Sequence, residues 1–284
     1  MPLSMEQIEA NRLRLTASKL PKVLGLDPYC TPWQLQAETL GLIEPEESSR
    51  AAVLGGLLEE PIRIMAMQEW PDLIANSETF WRDELGASPD YLRPDSTADG
   101  KSSGFNGPVA RAWIDCGPDS APLGIQVQCQ AQAWVCGKPE CGVAAIIGGQ
   151  PFRTLLWPAD TDLVEGALEV ADPWWKRHIV NRDPVPVGDV APPLAIVKRL
   201  RRIEGKSIRL GEDAAQLYAT WREAKALANK LEKEIKDQEA TLRAMMGDAC
   251  RAELEGGPAV YLQTISRKGY TVDPTSYTTL KEEK

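Results

Sequence analysis

The sequence predicts an α/β (α+β) protein: a mixed central sheet flanked by helices, then a long C-terminal helix and a terminal strand or hairpin. Three observations carry that expectation. Helical stretches and short strand-like runs interleave up to about residue 180. A Pro-rich, non-periodic segment, Asp183–Pro193, then interrupts the pattern. Beyond it, two heptad series mark one continuous helix over 213–246. The chain thus divides into a domain over 1–190 and an extension over 191–284.

Residues 5–25 read as an amphipathic helix with a second start at Thr16-Ala17-Ser18. Leu13, Leu15, Leu20, Val23 and Leu24 form its apolar side, and Gly25 and Pro28 end it. Thr31 is placed to cap a helix from Pro32 to about Leu40, with proline at its first position. A longer helix over 47–69 carries Glu59 and Glu60 amid apolar residues.

Asn76–Trp81 and Val109–Ile114 are strand candidates. Between them lie an acidic turn, Ser88-Pro89-Asp90, and a polar connection over 93–108. Gln126, Gln128, Gln130 and Gln132 alternate as in a strand. Ile125, Cys129, Ala133 and Cys136 fall at helical spacing, however, and Gln and Ala favour helix, so 124–136 is expected to be helical. Val143–Ile147 and Phe152–Trp157 read as strands around the turn GGQP, and Thr161 to about Val180 as a helix. The long helix has a narrow seam: Leu217, Ala224, Leu231 and Met245, with Trp221, Ala228, Ile235 and Leu242. It suits a coiled-coil-like contact or packing on its own domain. A strand at AVYLQTIS, a turn at RKG and a polar tail complete the chain.

The net charge of −9 argues against broad electrostatic attachment to nucleic acid. A local basic groove remains compatible with it. One basic run, from Lys198 to Arg209, is a candidate DNA contact or a solvated helix face. No apolar run reaches the ~18 residues of a membrane span, and the polar N-terminus lacks the apolar core of a signal peptide. A cytoplasmic location is the expectation. The six cysteines follow no disulfide-framework spacing, and with His178 the only histidine both a zinc centre and His-based catalysis are disfavoured.

The ordered pieces RLRLTASKLPKVLGLDPY, GGLLEEPI, GASPD, the Val109 strand, QVQCQAQAWVCG with its GGQPFR strand pair, and the Trp-containing helix resemble one family. It is that of the YqaJ-type phage recombination exonucleases, relatives of the phage lambda exonuclease in the PD-(D/E)-x-K nuclease superfamily. The resemblance spans most of the chain. It implies a restriction-endonuclease-like core over 1–190 and Mg²⁺-dependent hydrolysis of linear duplex DNA from its 5′ end, with Mn²⁺ as a substitute. It also implies a ring-like homo-oligomer, a phage single-strand annealing protein as partner, and residence of a phage or prophage protein in a bacterial host.

By that resemblance Asp90 is the metal-binding aspartate, Glu59 completes the metal shell, and Gln126 is the first glutamine of a QxQ helix. Ser18 contacts a terminal phosphate, with Arg12 or Arg14 as its basic neighbour. The Glu-x-Lys strand motif falls on Ala110-Arg111-Ala112, where the Arg111 carbonyl remains as a metal ligand. With both working side chains absent, the expectation is an inactivated enzyme, through deliberate replacement in an active parent. The alternative is a naturally degenerate protein that binds DNA ends or a partner. An interaction scaffold organised by the 213–246 helix is a third possibility.

Overall fold

The computed structural model describes residues 11–43, 50–105, 107–148, 150–186, 194–201 and 204–262. It divides into two compact units, Met1–Arg201 and Arg202–Lys284. The division falls after the expected boundary at 190 because the chain returns to the first unit: Ile43 bridges Leu200, and Arg201 N–H donates to the Leu42 carbonyl at 2.9 Å.

In the first unit the N-terminal stretch is not one long helix. It holds a short strand, β1 (Leu15–Thr16), and one turn of helix, α1 (Leu20–Val23). Residues 1–10 lie outside the described residues. α2 (Pro32–Thr39) is capped as expected, the Thr31 side chain accepting from Gln34 N–H at 3.2 Å. α3 (Arg50–Ala66) carries Glu59. Four short strands follow: β2 (Ile74–Ala75), β3 (Phe80–Arg82), β4 (Leu85–Ala87) and β5 (Tyr91–Leu92). They replace the single strand expected at Asn76–Trp81.

The polar connection expected over 93–108 holds the central strand, β6 (Ser96–Ser103). Val109–Ile114, expected as a strand, lies in a helix, α4 (Pro108–Asp115). Pro108 occupies the first turn, where its missing N–H is no loss, and two alanines favour the helix. Val109 and Trp113, one turn apart, pack on the same core. The glutamine-rich segment is helical, α5 (Leu123–Cys136). β7 (Glu140–Ile147), β8 (Arg153–Pro158) and α6 (Thr161–Trp175) follow, and a π-helical turn, Lys176–Val180, extends α6.

The main sheet has the order β2-β5-β6-β7-β8. β6 and β7 are parallel along all of β6, from Ser96↔Glu140 to Ser103↔Ile147, and the other pairs are antiparallel. A second sheet has the order β1-β4-β3. Alternation along β7 shows how the main sheet is covered. Cys141, Val143, Ala145 and Ile147 pack with Cys129 and Ala133 of α5 and Trp113 of α4. Ala144 packs the other way, with Ile62 and Ala66 of α3. Helix α5 is buried on two sides, because Val127, Ala131 and Val135 join a separate core with α1, β4 and α6.

After α7 (Leu194–Val197), the second unit holds α8 (Glu212–Met246) and a hairpin of β9 (Arg251–Glu253) and β10 (Ala259–Tyr261). The expected long helix is present, and none of its side chains is buried. The segment after 262, with the expected RKG turn and polar tail, lies outside the described residues. No helix is long and apolar enough to cross a membrane, among the described residues.

Candidate active site

Side chains on β6 alternate between the two helix layers. Ala98 belongs to the core under α3, and a Cβ on Gly100 would lie 2.7 Å from the Tyr91 hydroxyl, on that same side. Asp99 and Lys101 therefore face α5. The Asp99 carboxylate is the hub there. Its Oδ2 accepts from Lys101 Nζ at 2.5 Å and Gln128 Nε2 at 2.6 Å, and its Oδ1 accepts from Gln132 Nε2 at 2.8 Å. Asp99 is 2 % exposed, so these donors replace the water it lost.

The four glutamines split by helical periodicity. Gln128 and Gln132, four residues apart, both meet Asp99. Gln126 does not: its Nε2 donates to the Ala121 carbonyl at 2.6 Å and to Ser120 Oγ at 3.3 Å. Gln130 serves the fold, donating to the Pro158 carbonyl at 3.0 Å and accepting from Asp160 N–H at 2.7 Å. Gln128 and Gln132, not Gln126, thus stand on the face of α5 turned to β6.

Asp90 enters from the turn before β5. Asn76 fixes that turn, donating through Nδ2 to the Pro89 carbonyl at 2.8 Å, while its own N–H donates to the Asp90 carbonyl at 2.9 Å. Asp90 Oδ2 accepts from Gly100 N–H at 2.8 Å, which sets it beside the residue between Asp99 and Lys101. Its other carboxylate oxygen makes no hydrogen bond among the described residues. Burial and the Asp99 charge push the Asp90 carboxyl up to about 7, against the opposing pull of Lys101 and the Gly100 N–H. Burial alone would lower the Lys101 ammonium, but Asp99 and Asp90 outweigh it and hold it above the ordinary lysine value. Glu59 is close enough for its charge to act on Asp90 and Tyr91, and the Tyr91 hydroxyl donates to the Glu59 carbonyl at 2.6 Å.

This geometry corrects the expected motif. Ala110, Arg111 and Ala112 sit on α4, not on a strand. Ala110 is 1 % exposed and packed inside, and the Arg111 side chain is exposed. Neither alanine marks a lost carboxylate or lysine, and the Arg111 carbonyl belongs to a helix rather than to a strand between two such groups. An acid-x-lysine step on a strand is found instead at Asp99-Gly100-Lys101. The reading of an inactivated chain rested on the Val109 strand and falls with it.

Beside this face lies a cleft of about 370 Å³ lined by Arg12, Ser18, Lys19, Lys22, Gln128 and Gln132. Three cations against Glu38 make it locally positive in a chain that is acidic overall. Arg12 and Ser18, expected as phosphate contacts, both line this cleft. Arg14 is not among the lining: its guanidinium stacks 3.2 Å from the Trp81 ring, and Trp81 lies so close on Gly86 that a Cβ there would meet it at 2.6 Å. Lys19 is a structural cation, donating to the carbonyls of Asn11, Arg12 and Arg14. Burial, with Lys22 and Arg12 nearby, lowers it to about 8.

His178, the sole histidine, is buried, with Nδ1 2.8 Å from the Asp183 carbonyl, and all six cysteines are free. Among the described residues no three His, Cys, Asp or Glu side chains close around a point that could hold a metal ion. Asp90 and Asp99 still fit a hard divalent cation. They are two neighbouring carboxylates in a partly buried site, one with a free oxygen, and Mg²⁺ commonly takes only one or two carboxylates and keeps its waters.

No protein-family model and no curated protein matches the chain. Solved structures do. The alkaline exonuclease LHK-Exo from Laribacter hongkongensis is 18% identical with a TM-score of 0.49, covering 63% of this chain and 96% of that one. The same values hold for LHK-Exo in complex with dAMP. A phage-related exonuclease from Haemophilus somnus 129PT is 14% identical with a TM-score of 0.47, covering 60% of this chain and 96% of that one. These structural neighbours are named as alkaline and phage-related exonucleases.

Proposed function

We propose that the Met1–Arg201 unit is a metal-dependent exonuclease of linear duplex DNA, and that it is catalytically competent. The observation that carries this is Asp99 and Lys101 on one face of β6, with Asp90 hydrogen-bonded to the Gly100 between them. Asp90 and Asp99 would hold Mg²⁺, with Glu59 at the edge of the site. The ion would neutralise charge on the phosphate and acidify a bound water.

The chain's own residues divide the remaining work. Lys101 stays protonated through neutral pH, so it stabilises negative charge and orients a phosphate oxygen rather than abstracting a proton. Gln128 and Gln132 hold the Asp99 carboxylate in place. Arg12 and Lys22 in the cationic cleft, with Ser18, suit a terminal phosphate, which favours digestion from a phosphorylated 5′ end. The test is digestion of linear duplex DNA with Mg²⁺, set against the Lys101→Ala protein. No digestion by the unaltered chain, or equal digestion by both, overturns the proposal.

Two parts of the reading rest on the family resemblance: a ring-like homo-oligomer, and delivery of the resulting single strand to a phage annealing protein in a bacterial cytoplasm. Light scattering of the full chain tests the first, and co-purification with an annealing protein the second. The degenerate, DNA-end-binding alternative has no remaining support at Ala110 and Ala112.

A further inference from the structure

We infer that the apolar basin beside Lys101 seats an unstacked nucleobase of the strand being cut. The inference rests on the nuclease reading above and adds a substrate contact to it. The basin measures about 710 Å³, within the usual ~300–1,000 Å³ of small-ligand sites. Pro21, Leu26, Tyr29, Val109, Ala112 and Ile125 are its apolar lining. Lys101 stands in its wall. Ser18 and Gln128 line both this basin and the cationic cleft, so an apolar compartment and a positive one share a wall at the catalytic strand.

A nucleotide has the same division, with an anionic phosphate at one end and a flat base at the other. Charge sets the direction. In the basin lining Asp27 and Asp115 outnumber Lys101, whereas in the cleft Arg12 and Lys22 outnumber Glu38, so a phosphate is drawn to the cleft. Tyr29 is the stacking surface. It is 63% exposed, and its loop is held by Asp27, whose Oδ1 accepts from Tyr29 N–H at 2.7 Å and Cys30 N–H at 3.1 Å. Its hydroxyl reaches toward the start of α4, 3.9 Å from where a Cβ on Gly107 would stand. An exposed aromatic held at a cleft mouth suits base stacking, which tolerates any sequence.

The test uses the full chain in metal-free buffer, so that binding is read without turnover. The probes are 5′-phosphorylated oligonucleotides with 2-aminopurine, or an abasic analogue, at the terminal position of either end. Stacking should quench the 2-aminopurine fluorescence, and the abasic probe should bind about tenfold more weakly. Tyr29→Ala should remove the quench and lose about tenfold on the base-bearing probe only, while Tyr29→Phe should keep both. Equal binding of base-bearing and abasic ends, or an equal loss on both in Tyr29→Ala, overturns the inference. A Tyr29-dependent quench in a protein that digests no DNA with Mg²⁺ would sink the nuclease reading and leave the base seat standing. Digestion without any quench does the reverse.

Discussion

Lys101 and Asp99 stand two residues apart on one face of a strand, their charged atoms 2.5 Å apart and closed over by α5. Each supports the other: the ammonium compensates a buried carboxylate, and the carboxylate keeps the lysine protonated. Lys101→Ala removes a preorganised cation and should lower digestion by roughly 10²–10³-fold. Ala110→Glu with Ala112→Lys should restore nothing. It drives a carboxylate into a position that is 1 % exposed and should destabilise the fold by several kcal/mol, read as a lowered melting temperature with unimproved turnover.

Much of the frame was legible in the sequence, and the reason the motif was not is physical. Asp90 announces itself through Ser-Pro-Asp, the glutamine helix through its apolar spacing, and α2 through Thr31 and Pro32. The strand β6 reads STADGKSS, with no β-branched apolar residue to signal it. It is a strand because it pairs fully with β7 and because Ala98 and Gly100 leave room for what packs on them. Tertiary pairing overrides propensity there. The one local signal was an acid-x-lysine step nine residues after Asp90. Val109–Ile114 misleads in the opposite direction: its apolar residues are β-formers, but Pro108 and two alanines start a helix.

Gln132 tests the hold on Asp99. It is 2 % exposed, its Nε2 serves Asp99, and its Oε1 is buried without a partner among the described residues. Gln132→Leu removes the useful donor together with that orphan acceptor. Stability should therefore fall by only ~1 kcal/mol, at the low end for a lost buried donor. Activity should fall roughly 10–100-fold, since an unsupported carboxylate is poorly aimed. Chemical denaturation beside steady-state digestion separates the two effects.

Asp90 makes stability depend on pH and on cations. Its carboxyl is raised from 3.8 to about 7, so the folded protein holds a proton that the unfolded chain has released across that window. That contribution is full below about pH 4 and is lost as pH rises through 7. Without metal, thermal stability should decline from pH 5 to pH 8 by ~1–3 kcal/mol, and Asp90→Asn should flatten the slope. Mg²⁺ or Mn²⁺ should stabilise the chain more at pH 8 than at pH 5, because the cation needs the charged carboxylate. A metal-free profile that stays flat, or a cation effect unchanged in Asp90→Asn, contradicts the assignment.

Gly100 and Tyr91 form a coupled pair. A Cβ at Gly100 would meet the Tyr91 hydroxyl at 2.7 Å, and that hydroxyl holds the Glu59 carbonyl on α3. Gly100→Ala should displace the ring, loosen α3 beside the site and cost about 1–3 kcal/mol. Tyr91→Phe alone should cost about 1 kcal/mol through the lost hydrogen bond. In the Tyr91→Phe background Gly100→Ala should cost less, because the closest clashing atom is gone. A double-mutant cycle in denaturant measures this coupling, and strict additivity would exclude it.

The second unit should be separable from the chemistry. Among the described residues the core clusters lie between Leu15 and Ile179, and no side chain of α8 is buried. Its i,i+4 pairs, such as Glu232–Lys236 and Glu239–Arg243, are exposed and contribute a few tenths of a kcal/mol each. A fragment of residues 1–201 keeps the Ile43–Leu200 bridge and every residue of the candidate site. It should unfold cooperatively and digest linear duplex DNA within a few-fold of the full chain. If α8 serves assembly through its heptad seam, the fragment should instead differ in mass by light scattering. A fragment that folds but no longer cuts would place part of the catalytic apparatus beyond Arg201.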